Sequence, residues 1–335
     1  MAKILLTGGA GYIGSHTYLA LLEAGFEVVV FDNFSNAKPD VPDRLQQIAG
    51  QAVHLVRGDV LDRAALDAVF ADHQIDGVVH FAAKKAVGES VAQPIDYMHT
   101  NIGGLLTLLA AMEEAGVRRL VFSSSATVYG DTEVQPIPED HPRTYTSPYA
   151  YTKIAGEQIL EQLPAPWAIG ILRYFNPVGA HRSALIGEDP ADIPNNLVPY
   201  IAKVATGELS ELGVFGDDYN TPDGTGVRDY IHVEDLARGH VLSLQALLDS
   251  GKGHTVNLGT GEGSSVLEVV AAYSDACGRA LPYRIQPRRD GDVAVLTARP
   301  EKARELLGFE ATRSLSDMCR SSWAWVSGQI RNARD

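Results

Sequence analysis

Apolar positions near the N-terminus fall in two short unbroken runs, Ile4-Leu5-Leu6 and Val28-Val29-Val30-Phe31, separated by an amphipathic stretch that closes on Gly25. Runs of this length bounded by turn residues suit strands buried on both faces, and Gly25 suits the C-cap of a helix between them. The alternation continues, with β-rich runs at 52–57, 76–81, 119–123 and 168–174 and helical patterns at 63–72, 94–116 and 147–163. Strands alternating with helices predict an α/β architecture with a doubly wound parallel sheet. After residue 175 the texture changes. Loops rich in Gly, Pro and Asp (187–190, 217–226) surround a helical pattern at 196–206 and short strands near Val214 and at 283–286. This predicts a smaller mixed α/β C-terminal lobe over the sheet edge, built from 176–228 and 259–335. Residues 1–175 form the first lobe, and 229–258 are expected to return to it. A last amphipathic helix is expected at 314–330, carrying Trp323 and Trp325.

The first strand stops at Thr7-Gly8-Gly9-Ala10-Gly11-Tyr12-Ile13-Gly14. Glycines 9, 11 and 14 satisfy GxGxxG, and glycines 8, 11 and 14 satisfy GxxGxxG. Either spacing lets a tight turn bring backbone N–H groups against a pyrophosphate at the helix N-terminus. A glycine-rich turn can also pack helix on strand and hold nothing. Here a strand precedes it, a helix follows, and Asp32 closes the second strand where an acid accepts hydrogen bonds from adenosine ribose hydroxyls and repels a 2′-phosphate. The first lobe is therefore expected to be a Rossmann unit for NAD rather than NADP. Asp59, Phe81, Ala82 and Ala83 fall at C-terminal strand ends, where ligands bind in such sheets. Asp59 is read equally well as a cap for the helix that follows.

Among the 335 residues, 42 Asp and Glu outweigh 28 Lys and Arg, a formal net charge of -14, which argues against a nucleic-acid or anionic-membrane surface. An anionic substrate must then meet local arginines. No apolar run approaches the roughly 18 residues of a membrane span, and Met1-Ala2-Lys3 leads straight into a strand, so no signal peptide and a cytoplasmic location are expected. Cys277 and Cys319 lie in helical patterns and read as core thiols; ten scattered histidines without metal-binding spacing predict no metal site.

Tyr149 and Lys153 stand four apart on a predicted helix and so share a face. A phenol titrates near ~10, but an adjacent ammonium and a cationic nicotinamide would each favour the phenolate, making a general base for a hydroxyl. A surface Tyr and Lys at this spacing are also common. Ser123-Ser124-Ser125-Ala126-Thr127 changes the balance, because a serine at the end of the fifth strand can hydrogen-bond a substrate hydroxyl and relay its proton; the alternative is a Ser/Thr-rich turn.

With these residues in hand, TGGAGYIG, FSSSATVYG, SPYAYTK and LRYFNPVGAH together resemble the extended short-chain dehydrogenase/reductase family, and within it the UDP-glucose 4-epimerases over nearly the whole chain. KKAVGESV (84–91), IPNNLVPYIAKVA (193–205), DGTGVRDYIHVEDLA (223–237) and PRRDGD (287–292) are similar to further blocks of that family. The resemblance implies NAD contacts at Gly8, Gly11, Tyr12, Ile13, Gly14, Asp32, Asn33, Asp59 and Val60. It implies the same for Phe81, Ala82, Ala83, Lys85, Thr100, Ser125, Tyr149, Lys153 and Phe175. It assigns catalysis to Tyr149, Lys153 and Ser125. Around the nucleotide-sugar it places Ser125, Tyr149, Asn176, Asn196, Leu197, Phe215, Arg228, Arg289, Asp292 and Leu296. Arg228 and Arg289, in Gly-rich loops, could meet a diphosphate, or could simply pair with Asp229 or Asp290.

Two departures stand out. The family often has Asn-Asn on the helix after strand four where this chain has Thr100-Asn101, and an aromatic residue where this chain has Leu296, at a position whose size gates the sugar 2-substituent. The implied activity is 4-epimerisation of UDP-glucose and UDP-galactose, with tightly bound NAD, in galactose metabolism. A 4,6-dehydratase would need an acid/base pair where this chain has Ala126-Thr127. An NAD-sensing regulator would not need the full Ser, Tyr, Lys set. Leu105, Leu106, Leu108, Leu109, Ile154 and Leu160 suggest more apolar surface than one sheet face needs, and hence a homodimer pairing helices 94–116 and 147–163; the alternative is that they pack on the sheet.

Overall fold

In the computed structural model, which describes residues 1–189, 196–289 and 292–332, the first half of the chain runs as alternating strands and helices. In order these are β1 (Lys3–Thr7), α1 (Tyr12–Glu23), β2 (Glu27–Asp32), α2 (Val41–Ala49), β3 (His54–Arg57), α3 (Arg63–Asp72), β4 (Gly77–His80), α4 (Val87–Ala92) and α5 (Pro94–Tyr97). A π turn (Met98–Gly103), α6 (Gly104–Glu114), β5 (Arg119–Ser125), a 3-10 turn (Ala126–Tyr129), α7 (Pro148–Glu161) and β6 (Ala168–Tyr174) follow. The second half holds β7 (Asn176–Val178), α8 (Leu197–Thr206), β8 (Leu212–Phe215), β9 (Val227–His232), α9 (Val233–Ser250), β10 (His254–Leu258) and β11 (Gly263–Ser265). It ends with α10 (Val266–Cys277), β12 (Tyr283–Gln286), β13 (Val295–Leu296), α11 (Glu301–Leu307) and α12 (Leu315–Asn332). Of the stretches singled out in the sequence, Pro190, residues 193–195, Asp290 and Gly291 lie outside the described residues.

Seven strands form one parallel sheet in the order β10-β6-β5-β4-β1-β2-β3. The unbroken apolar runs are explained by helices on both faces. Ile4, Leu6, Val28 and Val30 enter the core shared with α1, α2 and α9, while Leu5, Val29 and Phe31 enter the core shared with α3 and α6. Strand order reverses between β1 and β4, which opens the crevice where ligands bind in such folds. A hydrogen bond of 2.7 Å between Thr7 Oγ1 and His80 Nδ1 joins the two strand ends there.

The smaller part is mixed. β9 is flanked by β11 and β13 and also pairs with β7, and β8 pairs with β12. Its own core lies between α8, α10 and α12. The stretch expected to rejoin the first lobe, 229–258, divides: Asp229 to His232 stays in the small sheet as β9, while α9 packs on the large sheet and β10 forms its edge strand.

Three expectations change. The helix read at 94–116 is three pieces, because a π turn at Met98–Gly103 turns the Asn101 side chain inward to bond the Lys84 backbone and Thr152. Leu105, Leu108, Leu109 and Leu160 belong to the core under the sheet, and Ile154 to a small cluster near the site; only Leu106 of that set is exposed. The leucine excess is thus used within one chain. Cys319 is a core thiol, pushed up to about 12 by burial, whereas Cys277 is only half-buried. Among the described residues no helix is long and apolar enough to cross a membrane, and no His, Cys, Asp and Glu cluster could hold a metal ion.

Candidate active site

The turn after β1 is held from within. Gly8 adopts φ +69, donates its N–H to Phe31 O at 2.8 Å, and accepts from Gly11 N at 3.1 Å. A Cβ on Gly8 would lie 2.7 Å from Ala82 N, so the turn sits directly against the end of β4. A Cβ on Gly14 would lie 2.2 Å from Gly8 O, which leaves no room for a side chain between helix and turn. Gly11 differs: its Cβ would meet only Gly8 O, at 3.3 Å. The space beyond it is open, and α1 begins there with no side-chain cap, so its first-turn N–H groups are offered to a ligand. That cradle, with an acid at the end of the neighbouring strand, fits a dinucleotide.

The acid is Asp32. It is buried, and Oδ2 accepts from Ala10 N at 3.0 Å while Oδ1 accepts from Phe34 N at 2.9 Å. Burial raises its pKa and these two amides oppose the rise. Each oxygen keeps acceptor capacity for a ribose hydroxyl. Asn33 donates to Asp59 Oδ2 at 2.8 Å, and Asp59 Oδ1 takes Leu61 N at 2.9 Å. The cap of α3 is Asp62, so Asp59 is not the helix cap. Val60 is buried there, Phe81 N bonds Thr7 O at 2.9 Å, and Ala82 and Ala83 follow the end of β4. Thr100 lies in the π turn and Ile13 packs partly into the α1 core. Two implied cofactor residues already have partners in the second half: Tyr12 Oη donates to Gly179 O at 2.7 Å, and Lys85 Nζ lies 3.6 Å from Glu188.

Next to this crevice, β5 ends on Ser125 and α7 opens under a Ser147 cap, with Pro148 in its first turn. Tyr149 and Lys153 are buried on the same face of α7, with the Ser125 side chain near enough to the Tyr149 hydroxyl to favour the phenolate. Ser125 Oγ also accepts from Thr127 N at 3.2 Å and Thr127 Oγ1 at 3.0 Å. Lys153 Nζ donates to Ser123 O at 2.6 Å and lies 5.9 Å from the Tyr149 ring centre. The expected depression of the phenol by this lysine is not what the chain alone produces. Burial pushes Tyr149 up, with the neighbouring Ser125 side chain pulling the other way, and burial lowers Lys153 to about 8. Desolvation penalises both charged forms, opposed by Ser125 at the phenol and by Glu157 at the ammonium.

The residues expected around a nucleotide-sugar gather in two groups. Arg228 is on β9 rather than in a loop, because Gly224 makes the preceding turn and the strand starts at Val227; its Nη2 donates to Asp292 Oδ1 at 2.7 Å. Asp229, the alternative partner read from the sequence, is buried and accepts instead from Thr260 N, Gly261 N and Ala298 N. Leu296 lies opposite Arg228 in the β13–β9 register. It packs on the cluster of Ala126, Ile154 and Phe175, which joins it to the Tyr149 neighbourhood. Arg289 stacks on Phe215 at 3.8 Å. Asn176 opens β7, Leu197 begins α8, and Asn196, at the N-cap position, donates to Glu188 Oε1 at 3.0 Å.

The NAD dependent epimerase/dehydratase family pattern matches residues 4–259. This chain belongs to that family. It is 54% identical over 330 residues to the UDP-glucose 4-epimerase of Bacillus subtilis, covering 98% of this chain and 97% of that one. Among solved structures it superimposes on the UDP-glucose 4-epimerase of Stenotrophomonas maltophila, which has bound NAD and formylated UDP-arabinopyranose, with a TM-score of 0.97 at 50% identity, covering 99% and 100% of the two chains. The Bifidobacterium longum UDP-glucose 4-epimerase, in complex with NAD+ and UDP, gives 0.94 at 50% identity over 98% and 99%. In this epimerase/dehydratase chain the reading from sequence passed over Asn101, which ties the loop after β4 to α7, and Thr127, which holds Ser125. Their signals were there: Asn101 as the second half of the departure from Asn-Asn, Thr127 inside the serine-rich block.

Proposed function

We propose that this chain interconverts UDP-glucose and UDP-galactose by NAD-dependent 4-epimerisation through a transient 4-keto sugar, in galactose metabolism. The observation that carries it is the meeting of Tyr149, Ser125 and Lys153 at the end of β5, beside the crevice between β1 and β4 that carries Asp32. Gly8, Gly11, Gly14 and Asp32 hold NAD, together with the strand-end residues Asn33, Asp59, Val60, Phe81, Ala82 and Ala83. Tyr12, Ile13, Lys85, Thr100 and Phe175 complete that set. When bound, NAD takes up and returns the hydride at sugar C4 and brings a positive charge that favours the phenolate. Tyr149 removes the 4-hydroxyl proton and returns it, and Ser125, oriented by Thr127, bridges hydroxyl and phenol. The Lys153 ammonium, anchored on Ser123 O, orients the cofactor ribose. Arg228 and Arg289 meet the diphosphate, with Asn176, Asn196, Leu197, Phe215 and Asp292 around the nucleotide and Leu296 beside the sugar.

In this reading residues 1–175 with α9 and β10 carry the cofactor, and 176–228 with the chain after 259 carry the UDP-sugar. A dehydratase is disfavoured because Ala126 is buried and Thr127 is engaged with Ser125, leaving no acid/base pair there. The working form is a cytoplasmic homodimer. Val87, Val91, Ile95 and Tyr151 are exposed on the adjoining helices α4, α5 and α7, an apolar face suited to a second copy. The deciding experiment measures NAD content and UDP-galactose turnover of purified protein without added cofactor. Protein that binds NAD but leaves UDP-galactose unchanged would overturn the proposal.

A further inference from the structure

One turn beyond Lys153, the same stretch of α7 carries a third titratable side chain that the proposed chemistry leaves unused. Glu157 is 0% exposed. A lone carboxylate there would cost too much to remain charged, and this one has four hydrogen bonds from three parts of the chain. Ser124 on β5 donates to Oε1 at 2.5 Å; Arg173 on β6 donates Nε to Oε1 at 2.9 Å and Nη2 to Oε2 at 2.6 Å. Arg143, in the loop before α7, donates to Oε2 at 3.0 Å and also holds Glu161. Buried ion pairs add little net stability, since desolvation offsets most of their attraction, so stability alone does not account for this one.

The placement does. Three consecutive residues at the end of β5 meet three side chains spaced four apart on α7: Ser123 O takes Lys153, the Ser124 hydroxyl binds Glu157, and the Ser125 hydroxyl meets Tyr149. A shift of the helix along the strand would break all three contacts together. Arg173 extends the clamp to β6 and, through Tyr129 Oη at 3.1 Å, to the 3-10 turn that follows Ser125.

Building on the epimerase reading of this site, we propose that Glu157 is a positioning residue of the reaction: clamped by Ser124, Arg143 and Arg173, it sets the register of α7 on β5 and places a negative charge one turn behind the Lys153 ammonium. Glu157 is also the group that opposes the burial-driven fall of the Lys153 pKa. The other groups facing the pair leave it that task. His80, on β4, is held neutral by burial, with a pKa of about 3, and the Tyr149 and Tyr174 phenols are kept neutral because burial raises them. Arg173 and Arg143 are cations, the latter shared with Glu161; Tyr129, pushed up to about 12, is neutral, and Glu139 reaches the cluster through Tyr129 and Arg173. Without the Glu157 charge, Arg173 would act on Lys153 with no intervening anion.

The test is the pH profile of kcat for UDP-galactose. An ammonium is present below its pKa and lost above it, so the alkaline limb should follow Lys153. In Glu157→Gln that limb should move to lower pH by about one unit. Glu157→Asp keeps the charge and should bring it back, whatever its effect on Tm. Arg143→Gln removes a cation that shares Glu157 and should move the limb the opposite way, by a few tenths of a unit. KM should stay within about twofold throughout, because none of these side chains is placed against the sugar nucleotide. The Lys153 Nζ resonance in isotope-labelled protein should shift in parallel, independently of turnover. Limbs and resonance that stay in place while Tm falls would overturn the role and leave Glu157 purely structural. Should Glu157→Gln fail to fold, Arg143→Gln decides alone, and an unmoved limb there overturns it. No turnover by the unmodified chain would overturn the epimerase reading and this role with it; turnover with unmoved limbs overturns the role of Glu157 alone.

Discussion

Gly11 and Gly14 look alike in the motif, but alanine should affect them in opposite ways. At Gly14 the added methyl would sit 2.2 Å from Gly8 O and 2.8 Å from Gly9 Cα. An ordinary contact needs roughly 3.4 Å or more, so α1 would have to back away from the turn by about 1 Å. Gly8 cannot yield, because it is in the left-handed region and pressed on Ala82. Overpacking of this kind costs about 3 kcal/mol, and with an unfolding entropy of roughly 2 cal/mol/K per residue that lowers Tm by about 4 °C. At Gly11 the methyl meets one atom at 3.3 Å, and the residue sits at φ -70, ψ 176, which alanine adopts freely. The nucleotide-free chain should then be unchanged or up to about 0.5–1 kcal/mol more stable, because the unfolded chain loses freedom. The methyl would instead project into the ligand space and cost about 1–3 kcal/mol of NAD binding, roughly 5 to 150-fold in Kd. The assay is thermal unfolding of nucleotide-free protein beside NAD titration for both variants. If Gly11→Ala bound NAD within twofold of the unmodified chain, the reading of the open space as the pyrophosphate seat would be wrong.

Tyr149→Phe keeps the ring and its packing but removes the proton acceptor, so kcat should fall by about 10³-fold, or ~4 kcal/mol in the barrier, with NAD content unchanged; near-normal turnover would remove Tyr149 from its role. Leu296 should crowd an acetamido group beside the sugar, so kcat/KM should favour UDP-galactose over UDP-N-acetylgalactosamine by roughly 10 to 200-fold. Leu296→Tyr should change that ratio, and equal values for both substrates in the unmodified chain would show that Leu296 is no gate. Light scattering should give a mass near twice the 36.0 kDa of one chain, and Ile95→Glu should return it towards one; a monomer at micromolar concentration in the unmodified protein would count against the dimer. His16, His80, His232 and His240 are buried with pKa values lowered to about 3 to 4. Above pH ~6.5 they are neutral in both states and cost nothing; below it the unfolded chain takes up protons that the folded chain refuses. Stability should therefore fall by up to about 5 kcal/mol per pH unit from pH ~6 towards 4. Acid unfolding followed by circular dichroism should show that slope, and a flat profile down to pH 4 would contradict it.

Local patterns carried much of this. Ile4-Leu5-Leu6 reads as a two-face-buried strand because both faces do have helices, and the turn that follows announces its own geometry through three glycines and Asp32. Tyr149 and Lys153 are legible because four residues make one helical turn. A one-period reading missed the π turn at Met98–Gly103, since the apolar spacing there also fits an ordinary helix. The leucines of α6 suggested a second chain because their number shows in the sequence, whereas the sheet that buries them does not.

What the amino-acid order determined by itself was whatever depends on neighbours: the strand and helix alternation, the glycine turn after β1, the acid that closes β2, the shared face of Tyr149 and Lys153. What the tertiary structure alone decided depends on chain crossings and on solvent. Arg228 chose Asp292 over the adjacent Asp229, because strand alternation and three backbone amides turn Asp229 inward. Leu296 came beside α7 through a β pairing with Arg228 that no local period encodes. The Tyr149 phenol went up rather than down for the same kind of reason. Desolvation is set by everything packed around a group, and here it outweighs the opposing pull of Ser125.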